Sequence, residues 1–456
     1  MFIPNTDAER AEMLKSIGLE KIEDLFDSIP EKYRFPKLNL HEGMTEPEIV
    51  AQLKEMASAN LSLEDCVCFL GAGAYRHYIP AAINTIISRG EFLTAYTPYQ
   101  PEISQGTLEA IFEYQSLIAR LTGMEASNAS HYDGATACAE AGIMAYHEFR
   151  GKRSKIVVSA GLHPHYLSVM HTYLDDYNGI QIVTPKFETL DDIAPESVEK
   201  EIDENTALVL VQYPDFFGQI YDFTKLAEAA HAKGALFAIC INPTALGLLK
   251  TPGEMGADVV VGEGQPLGIP LSYGGPYLGI FATRKNLIRK VSGRIVGQTV
   301  DTRGQKTYVL TLTAREQHIR REKATSNICS NQSLNALTAA VYLSLLGKTG
   351  LKQVATLCLN KAHYAAESIS KIPGYKVMNK VPFFHEFVVK CPESVADINE
   401  HLLDHNIMGG YDLSDVGPAF KDCVLVAVTE MVSKQDIDDL CNILKGGCGH
   451  EDESHE

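Results

Sequence analysis

Between residues 61 and about 330, short apolar runs alternate with helix-like segments, and this alternation constrains the fold more than any other feature. The apolar runs are continuous, which is typical of strands buried on both faces of a sheet. They lie at residues 155–159, 181–184, 207–211, 236–240, 258–261 and 278–282. Helix-like segments such as 223–233, closed by Gly234, lie between them. The pattern predicts an α/β fold with a mainly parallel sheet wrapped by helices, and ligands bound at the carboxyl ends of the strands.

Four segments are predicted along the 456 residues. Residues 1–60 are expected to form a polar helical arm, in which Thr45 caps a helix with Pro47 in its first turn. This arm either lies over a neighbouring subunit or packs on itself. The rest divides into a large α/β domain (61–330), a small α+β domain (331–446) and a flexible acidic tail (447–456). Within the small domain, helices are expected at 333–346, 351–372, 395–405 and 433–445 and strands at 384–389 and 424–428.

Composition excludes several classes of partner. A net charge of −18 argues against binding to nucleic acid or to an anionic membrane. No window approaches the ~20 consecutive apolar residues of a membrane span, and the first residues lack secretory and transit-peptide features, so we expect a cytoplasmic protein. The ten cysteines are scattered without a C-x-x-C pair, which favours buried thiols in a reducing compartment. No metal site is predicted.

A candidate anion site lies where residues 131–137 lead into a helix of small residues. Gly134 permits a tight turn there and Thr136 supplies a hydroxyl, beside free backbone N–H groups at the helix N-terminus. A tightly packed helix start explains the same residues equally well. Its position ahead of a parallel sheet favours a phosphate cradle.

Two further candidates follow predicted strands. His163 follows the strand at 155–159, where its ring either stacks on a flat ligand and shuttles protons or simply caps a loop. Asn242 follows the strand at 236–240. Its amide is able to hydrogen-bond a pyridine nitrogen but carries no charge to keep that nitrogen protonated, and Asn-Pro is also a common turn initiator.

The densest polar and aromatic run of the chain is the segment 96–106, called the 96–106 loop below. Two prolines stiffen its backbone and prevent a helix. It is either a surface loop or the lining of a site or interface. Its candidate site residues are Tyr96, Thr97, Tyr99, Gln100, Glu102 and Ser104.

Four motifs in order resemble one known family. They are YTPYQPEISQG (96–106), GEGQPLG (262–268), GGPY (274–277) and REKATSNIC (321–329). Together they resemble the P-proteins of the glycine cleavage system, the decarboxylating glycine dehydrogenases, and in length the alpha chain of the split bacterial form. The resemblance covers essentially the whole chain. It implies a fold-type-I pyridoxal-phosphate architecture.

A pyridoxal enzyme needs a lysine amine for its Schiff base, yet there is no lysine between Lys250 and Lys285. The resemblance implies that a homologous beta chain carries this lysine, in an assembly expected to be α2β2. The assembled enzyme would decarboxylate glycine on pyridoxal phosphate and pass the aminomethyl group to the lipoyl arm of the H-protein. We therefore expect no catalytic residue that acts in this chain alone.

The site predictions follow from this division of labour. The six candidates of the 96–106 loop and parts of 321–327 are expected to face the beta chain's cofactor site or the lipoyl entry path. Gly134, Thr136, His163 and Asn242 are expected to outline a vestigial cofactor pocket. The sequence leaves two other functions open: a self-sufficient pyridoxal enzyme using an unexpected lysine, and a non-catalytic paralogue that serves as scaffold or regulator.

Overall fold

The computed structural model of the protein describes residues 4–177 and 179–446. The chain separates into two compact units, Met1–Ser62 and Leu63–Glu456. The predicted acidic tail at 447–456 lies outside the described residues. The boundary predicted between residues 330 and 331 stays a prediction.

The α-helices are α1 Asp7–Ser16, α2 Glu46–Ser58, α3 Ala81–Ile87, α4 Gly90–Leu93, α5 Gln105–Thr122, α6 Gly134–Glu148, α7 Pro164–Leu174, α8 Pro195–Glu199, α9 Thr224–Ala232, α10 Gln317–Arg320, α11 Ser333–Ile369, α12 Val395–Asp404 and α13 Lys434–Gly446. The strands are β1 Val67–Cys68, β2 Ala126–Ser127, β3 Lys155–Val158, β4 Gln181–Val183, β5 Thr206–Tyr213, β6 Leu236–Ile241, β7 Val259–Glu263, β8 Gly279–Thr283, β9 Ile295–Val300, β10 Lys306–Thr311, β11 Lys376–Val377, β12 Glu386–Lys390, β13 Ile407–Met408, β14 Tyr411–Asp412 and β15 Cys423–Ala427.

The first unit is helical at both ends, as predicted. Thr6 begins α1 in a capping box, with its hydroxyl accepting from the N–H of Glu9. Thr45 begins α2, where its N–H and its hydroxyl both donate to the carboxylate of Glu48, and Pro47 lies in the first turn. These contacts are local in sequence, which is why the pattern alone located α2.

The centre of the second unit is a seven-stranded sheet in the order β2-β8-β7-β6-β5-β3-β4. Strands β3 to β7 pair in parallel, whereas β8 runs antiparallel to β7 and β2 antiparallel to β8. All six predicted strands are present within a few residues of their predicted ends, and the predicted α/β fold is confirmed. Because β3, β6 and β7 are parallel, their carboxyl ends lie on the same side of the sheet, which is called the carboxyl edge or sheet edge below.

Burial on both faces explains the continuous apolar runs. Val209 and Val211 of β5 pack into one core with Phe237, while Leu208 and Leu210 of the same strand pack into the core on the opposite face. Helix α6 covers the second face with residues that are almost all small and buried. Close helix packing on the sheet is what its alanines and glycines permit.

The last part of the chain contains the antiparallel sheet β11-β12-β15-β14 with α11, α12 and α13 around its core. Element α11 comprises two helices that meet at a kink at Gly347 (φ 56°), in agreement with the two helices predicted at 333–346 and 351–372. The antiparallel hairpin β9–β10 and the short parallel pair β1–β13 were not predicted. Within 4–177 and 179–446, no helix is both long and apolar enough to cross a membrane.

Candidate functional site

The residues predicted as a vestigial pocket come together at the carboxyl edge of the central sheet. Helix α6 begins at Gly134, His163 caps α7 after β3, and Asn242 directly follows β6. Glu263, the last residue of β7, joins them. That these residues outline a cofactor pocket stays a prediction, and sequence reasoning did not single out Glu263.

The backbone amides at the start of α6 already have partners. The side chain of Asp133 accepts from the N–H of Thr136 at 2.7 Å and from its hydroxyl at 2.8 Å. The N–H of Gly134 donates to Oε2 of Glu263 at 2.9 Å. Two amides that would hold an incoming phosphate are thus bonded to carboxylates of the same chain.

Glu263 is buried and accepts three backbone hydrogen bonds. Its Oε2 accepts from Gly134, and its Oε1 accepts from the N–H groups of Gln265 at 3.0 Å and Leu278 at 2.9 Å. Burial raises the pKa of Glu263 to about 8, since the hydrogen bonds offset only part of the cost of desolvating the charged form. The buried carboxyl group of Glu263 therefore links its own strand β7 to the start of β8 and to the first residue of α6.

Backbone contact between β6 and β7 explains one glycine of this region. A Cβ on Gly262 would lie 2.5 Å from the carbonyl oxygen of Ile241. A Cβ on Gly134 would likewise lie 2.9 Å from the hydroxyl of Tyr166 and from the N–H of Glu263. Only glycine fits where these chains approach so closely.

His163 is buried and held in one tautomer. Its Nε2 lies 2.8 Å from the carbonyl oxygen of Ala72, and its Nδ1 accepts from the N–H of His165. Its ring stacks on that of Tyr166, with 4.7 Å between centroids and 14° between planes. Burial lowers the pKa of His163 to about 4, so the ring is neutral at physiological pH.

Asn242 also uses its amide within the chain. Its oxygen accepts from the N–H of Thr244 at 3.0 Å, and its nitrogen lies 3.3 Å from Nε2 of His385. The ring of His385 lies 4.6 Å from that of Tyr75. The hydroxyl of Tyr75 donates to Glu386 at 2.7 Å. Asn242 at the sheet edge is therefore connected through His385 and Tyr75 to a buried polar network that extends to Glu386 on β12.

The 96–106 loop is mostly exposed to solvent, unlike the buried residues at the sheet edge. Tyr96 is 92% exposed and Ile103 is 81% exposed. Thr97, Gln100 and Glu102 are exposed too, whereas Tyr99 and Ser104 are half-buried.

The backbone of the loop is nevertheless fixed by side chains. Gln105 donates to the carbonyl oxygens of Pro101 and Tyr308 and accepts from the N–H of Tyr308. The hydroxyl of Tyr99 donates to Asn331 at 2.8 Å, and the guanidinium of Arg294 lies 4.2 Å from its ring centre. Sequence reasoning did not single out Gln105 as an anchor, because its partner Tyr308 lies on a hairpin that was not predicted.

The motif at 321–329 is next to both regions. Ser326 is buried and donates to Glu140 of α6 at 2.7 Å. The N–H of Cys329 donates to Tyr132, ahead of α6, while Asn331 joins the 96–106 loop. The charged residues 321–323 are exposed. Asn331, two residues after the motif, thus links this part of the chain to the 96–106 loop.

Solved structures define the class of protein. Glutamate decarboxylase of Lactobacillus brevis superposes with a TM-score of 0.70 at 14% identity, over 95% of this chain and 99% of that one, which shows a common fold. The structure of a glycine decarboxylase (P-protein) of the glycine cleavage system, in inhibitor-bound form, superposes with a TM-score of 0.88 at 39% identity, over 98% and 99% of the two chains. The fold is that of the fold-type-I pyridoxal-phosphate enzymes.

Sequence comparison gives the family. The model of the family described as glycine cleavage system P-protein matches residues 1–444. A probable glycine dehydrogenase (decarboxylating) subunit 1 of Thermomicrobium roseum is 52% identical over 445 residues, covering 98% of this chain and 99% of the relative. The protein of the same name from Desulforamulus reducens is 54% identical over 439 residues, covering 96% and 97%. The chain belongs to the glycine cleavage system P-protein family.

The residues of this chain do not fit the cofactor of that class. The amides of the candidate cradle bond to Asp133 and Glu263, and the face of His163 stacks on Tyr166. The nearest lysine in sequence after β6, Lys250, bonds Asp222 and Thr224 on the exposed side of the protein. No catalytic step is therefore assigned to a cofactor held here.

Proposed function

We propose that this chain is the subunit of a glycine dehydrogenase (decarboxylating) that does not hold the cofactor, acting in the cytoplasm with a homologous partner chain. The partner would bind pyridoxal phosphate covalently, and the assembly would decarboxylate glycine and transfer the aminomethyl group to the lipoyl arm of an H-protein. Family membership and the names of the relatives support the reaction. The observation that carries the assignment of roles is the Glu263 carboxyl bonded to the amide of Gly134.

Within such an assembly, this chain's contribution would come from the 96–106 loop. Its exposed side chains carry a phenol, a carboxamide and a carboxylate at Tyr96, Gln100 and Glu102. The backbone beneath them is fixed by Gln105, so these groups lose little further freedom on binding. They are suited to position substrate or to narrow the entrance of a neighbouring site. An α2β2 arrangement is part of this proposal.

The reconstitution of activity from separate chains tests the proposal. We expect glycine-dependent exchange of carbon dioxide only when this chain and its partner are mixed. Borohydride reduction followed by peptide mapping should place the cofactor on a lysine of the partner chain. A cofactor adduct on this chain would indicate a self-sufficient pyridoxal enzyme. Full activity of the partner alone would leave this chain as a scaffold or regulator, and either result would overturn the proposal.

A further inference from the structure

A second buried polar cluster lies beside the network of Tyr75 and His385, and three different parts of the second unit build it. His77 precedes α3, Cys358 lies on α11, and Glu430 follows β15. One ligand atom from each residue lies within 4.8 Å of the others. The side chains of His77 and Glu430 are 2% and 8% exposed, and Cys358 is a buried free thiol.

The carboxylate of Glu430 is held so that one oxygen faces both other side chains. Its Oε1 accepts from the N–H of Tyr78 at 2.7 Å, which fixes the group. Its Oε2 lies 2.7 Å from Nδ1 of His77 and accepts from the thiol of Cys358 at 3.3 Å. The hydroxyl of Thr429 donates to the carbonyl oxygen of Arg76, so the two backbone segments are joined beside the cluster as well.

The imidazole is not fully bonded by the protein. Nε2 of His77 is buried and has no hydrogen-bond partner among the described residues. A buried ring nitrogen without a hydrogen-bond partner is destabilising. Nε2 points away from Nδ1, the ring nitrogen that faces Glu430, and it is therefore free to carry the ring proton when Nδ1 binds a metal ion.

We propose that His77, Cys358 and Glu430 form a binding site for one divalent transition-metal ion, with zinc as the best match. Imidazole, thiolate and carboxylate are the three donor types that zinc takes in proteins. In a tetrahedral site, ligand bonds of about 2.0–2.3 Å place donor atoms roughly 3.3–3.6 Å apart. The observed 2.7 Å separation therefore needs to widen by roughly 0.6–0.9 Å and the 3.3 Å separation by roughly 0.3 Å or less.

Charge and protons balance in this site. Zinc binding would release the thiol proton of Cys358 to solvent and move the Nδ1 proton of His77 to the unpartnered Nε2, and the thiolate with the Glu430 carboxylate would neutralise the dication. A fourth position would remain for water. Lys361 donates to the carbonyl oxygen of Glu430 at 2.6 Å, so a nearby ammonium opposes the dication and lowers the affinity. The site would join the segment before α3 to helix α11 and to the end of the small sheet.

Cobalt titration of the assembled protein tests the site with a spectroscopic readout. After treatment with a chelator, added Co2+ should produce a thiolate-to-cobalt charge-transfer band with one equivalent bound per copy of this chain, and zinc should abolish it. Cys358→Ser should remove the band. Cys391→Ser is the matched control, because Cys391 is another buried free thiol and lies outside the cluster.

Thermal unfolding provides the second measurement. Zinc should raise the unfolding temperature of the parent protein and of the Cys391→Ser variant, but leave that of Cys358→Ser unchanged. His77→Gln should weaken cobalt binding by about 100-fold or more. A band that survives in Cys358→Ser, or parent protein that shows neither a band nor a zinc-dependent shift, would overturn the site and leave a hydrogen-bonded cluster only.

Discussion

The sheet edge around Glu263 and the 96–106 loop use polar residues in opposite ways. At the sheet edge, Glu263 is buried and its carboxyl oxygens accept three backbone N–H groups. In the loop, Tyr96 and Glu102 are exposed above a backbone fixed by Gln105. At the sheet edge the polar group is bonded inside the protein, whereas in the loop the polar groups of Tyr96 and Glu102 are exposed to solvent.

This difference in burial also predicts which substitutions should change stability and which should change function. Removing a group whose hydrogen bonds are all internal should lower stability, because buried N–H groups lose their acceptor. Removing an exposed group should leave stability unchanged and alter only what happens at an interface or neighbouring site. The two regions can therefore be distinguished by measuring stability and activity in the same variants.

The largest effect is expected for Glu263→Ala. Three buried N–H groups would lose their acceptor, which we expect to cost about 3 kcal/mol or more of unfolding free energy. Urea unfolding of the assembled protein measures it. Glu204→Ala is the control, because Glu204 makes only an exposed ion pair with Lys233 and should change stability by less than about 1 kcal/mol. Equal effects of the two substitutions would show that Glu263 does not hold the sheet edge together.

The second effect concerns activity. Alanine at Tyr96, Gln100 or Glu102 should lower glycine decarboxylation by the assembled enzyme about 10-fold or more, with unchanged unfolding, if these groups act at the neighbouring site. Leu403→Ala, at an exposed apolar residue of α12, is the control and should leave the rate unchanged. Full activity in all three loop variants, in complexes that still assemble, would reject a role for the loop.

The third effect is a pH dependence. Because burial raises the pKa of Glu263 from 4.5 to about 8, the folded protein binds more protons than the unfolded one between these values. Its contribution to stability is complete below pH 4.5 and is lost as the pH rises through 8. The unfolding free energy of the parent protein should therefore fall as the pH rises between these values. In Glu263→Gln this fall should be less steep, by up to about 1.4 kcal/mol per pH unit.

Other buried carboxyl groups also make the unfolding free energy fall with rising pH, so the variant must be compared with the parent protein. Burial also raises the pKa of Glu386 and of Asp215 to about 7, so part of the fall should remain in Glu263→Gln. Unfolding curves of parent and variant at several pH values between 5 and 9 give the difference directly. An unchanged slope would mean that Glu263 does not titrate in this range.

The smallest effect is expected for Asn242→Asp. The substitution restores a carboxylate where the class would use one, yet the amide of Gly134 remains bonded to Glu263. We therefore expect no additional pyridoxal phosphate bound per assembly, measured by absorbance after equilibrium dialysis. Additional bound cofactor would show that the sheet edge is open to a ligand and that only the lack of a carboxylate at residue 242 keeps the cofactor out.

The sequence alone determined the elements whose signals are local. Continuous apolar runs located the strands β3 to β8, because burial on both faces removes the polar alternation. The capping pattern at Thr45 located α2, and the two prolines excluded a helix over 96–104, although Gln105 and Gly106 already belong to α5. The four ordered motifs are themselves enough to indicate the family. The absence of lysine between Lys250 and Lys285 is likewise a property of the sequence.

Only the tertiary structure decided which polar groups meet. Glu263 bonds an amide 129 residues away, and Tyr75 bonds Glu386 across 311 residues. His77 and Glu430 are 353 residues apart. No periodicity or spacing in the chain encodes such pairs, because they depend on how sheet, helices and connecting segments pack together. The sequence therefore specified the framework and its missing lysine, whereas packing decided that Glu263 closes the sheet edge and that the 96–106 loop stays exposed.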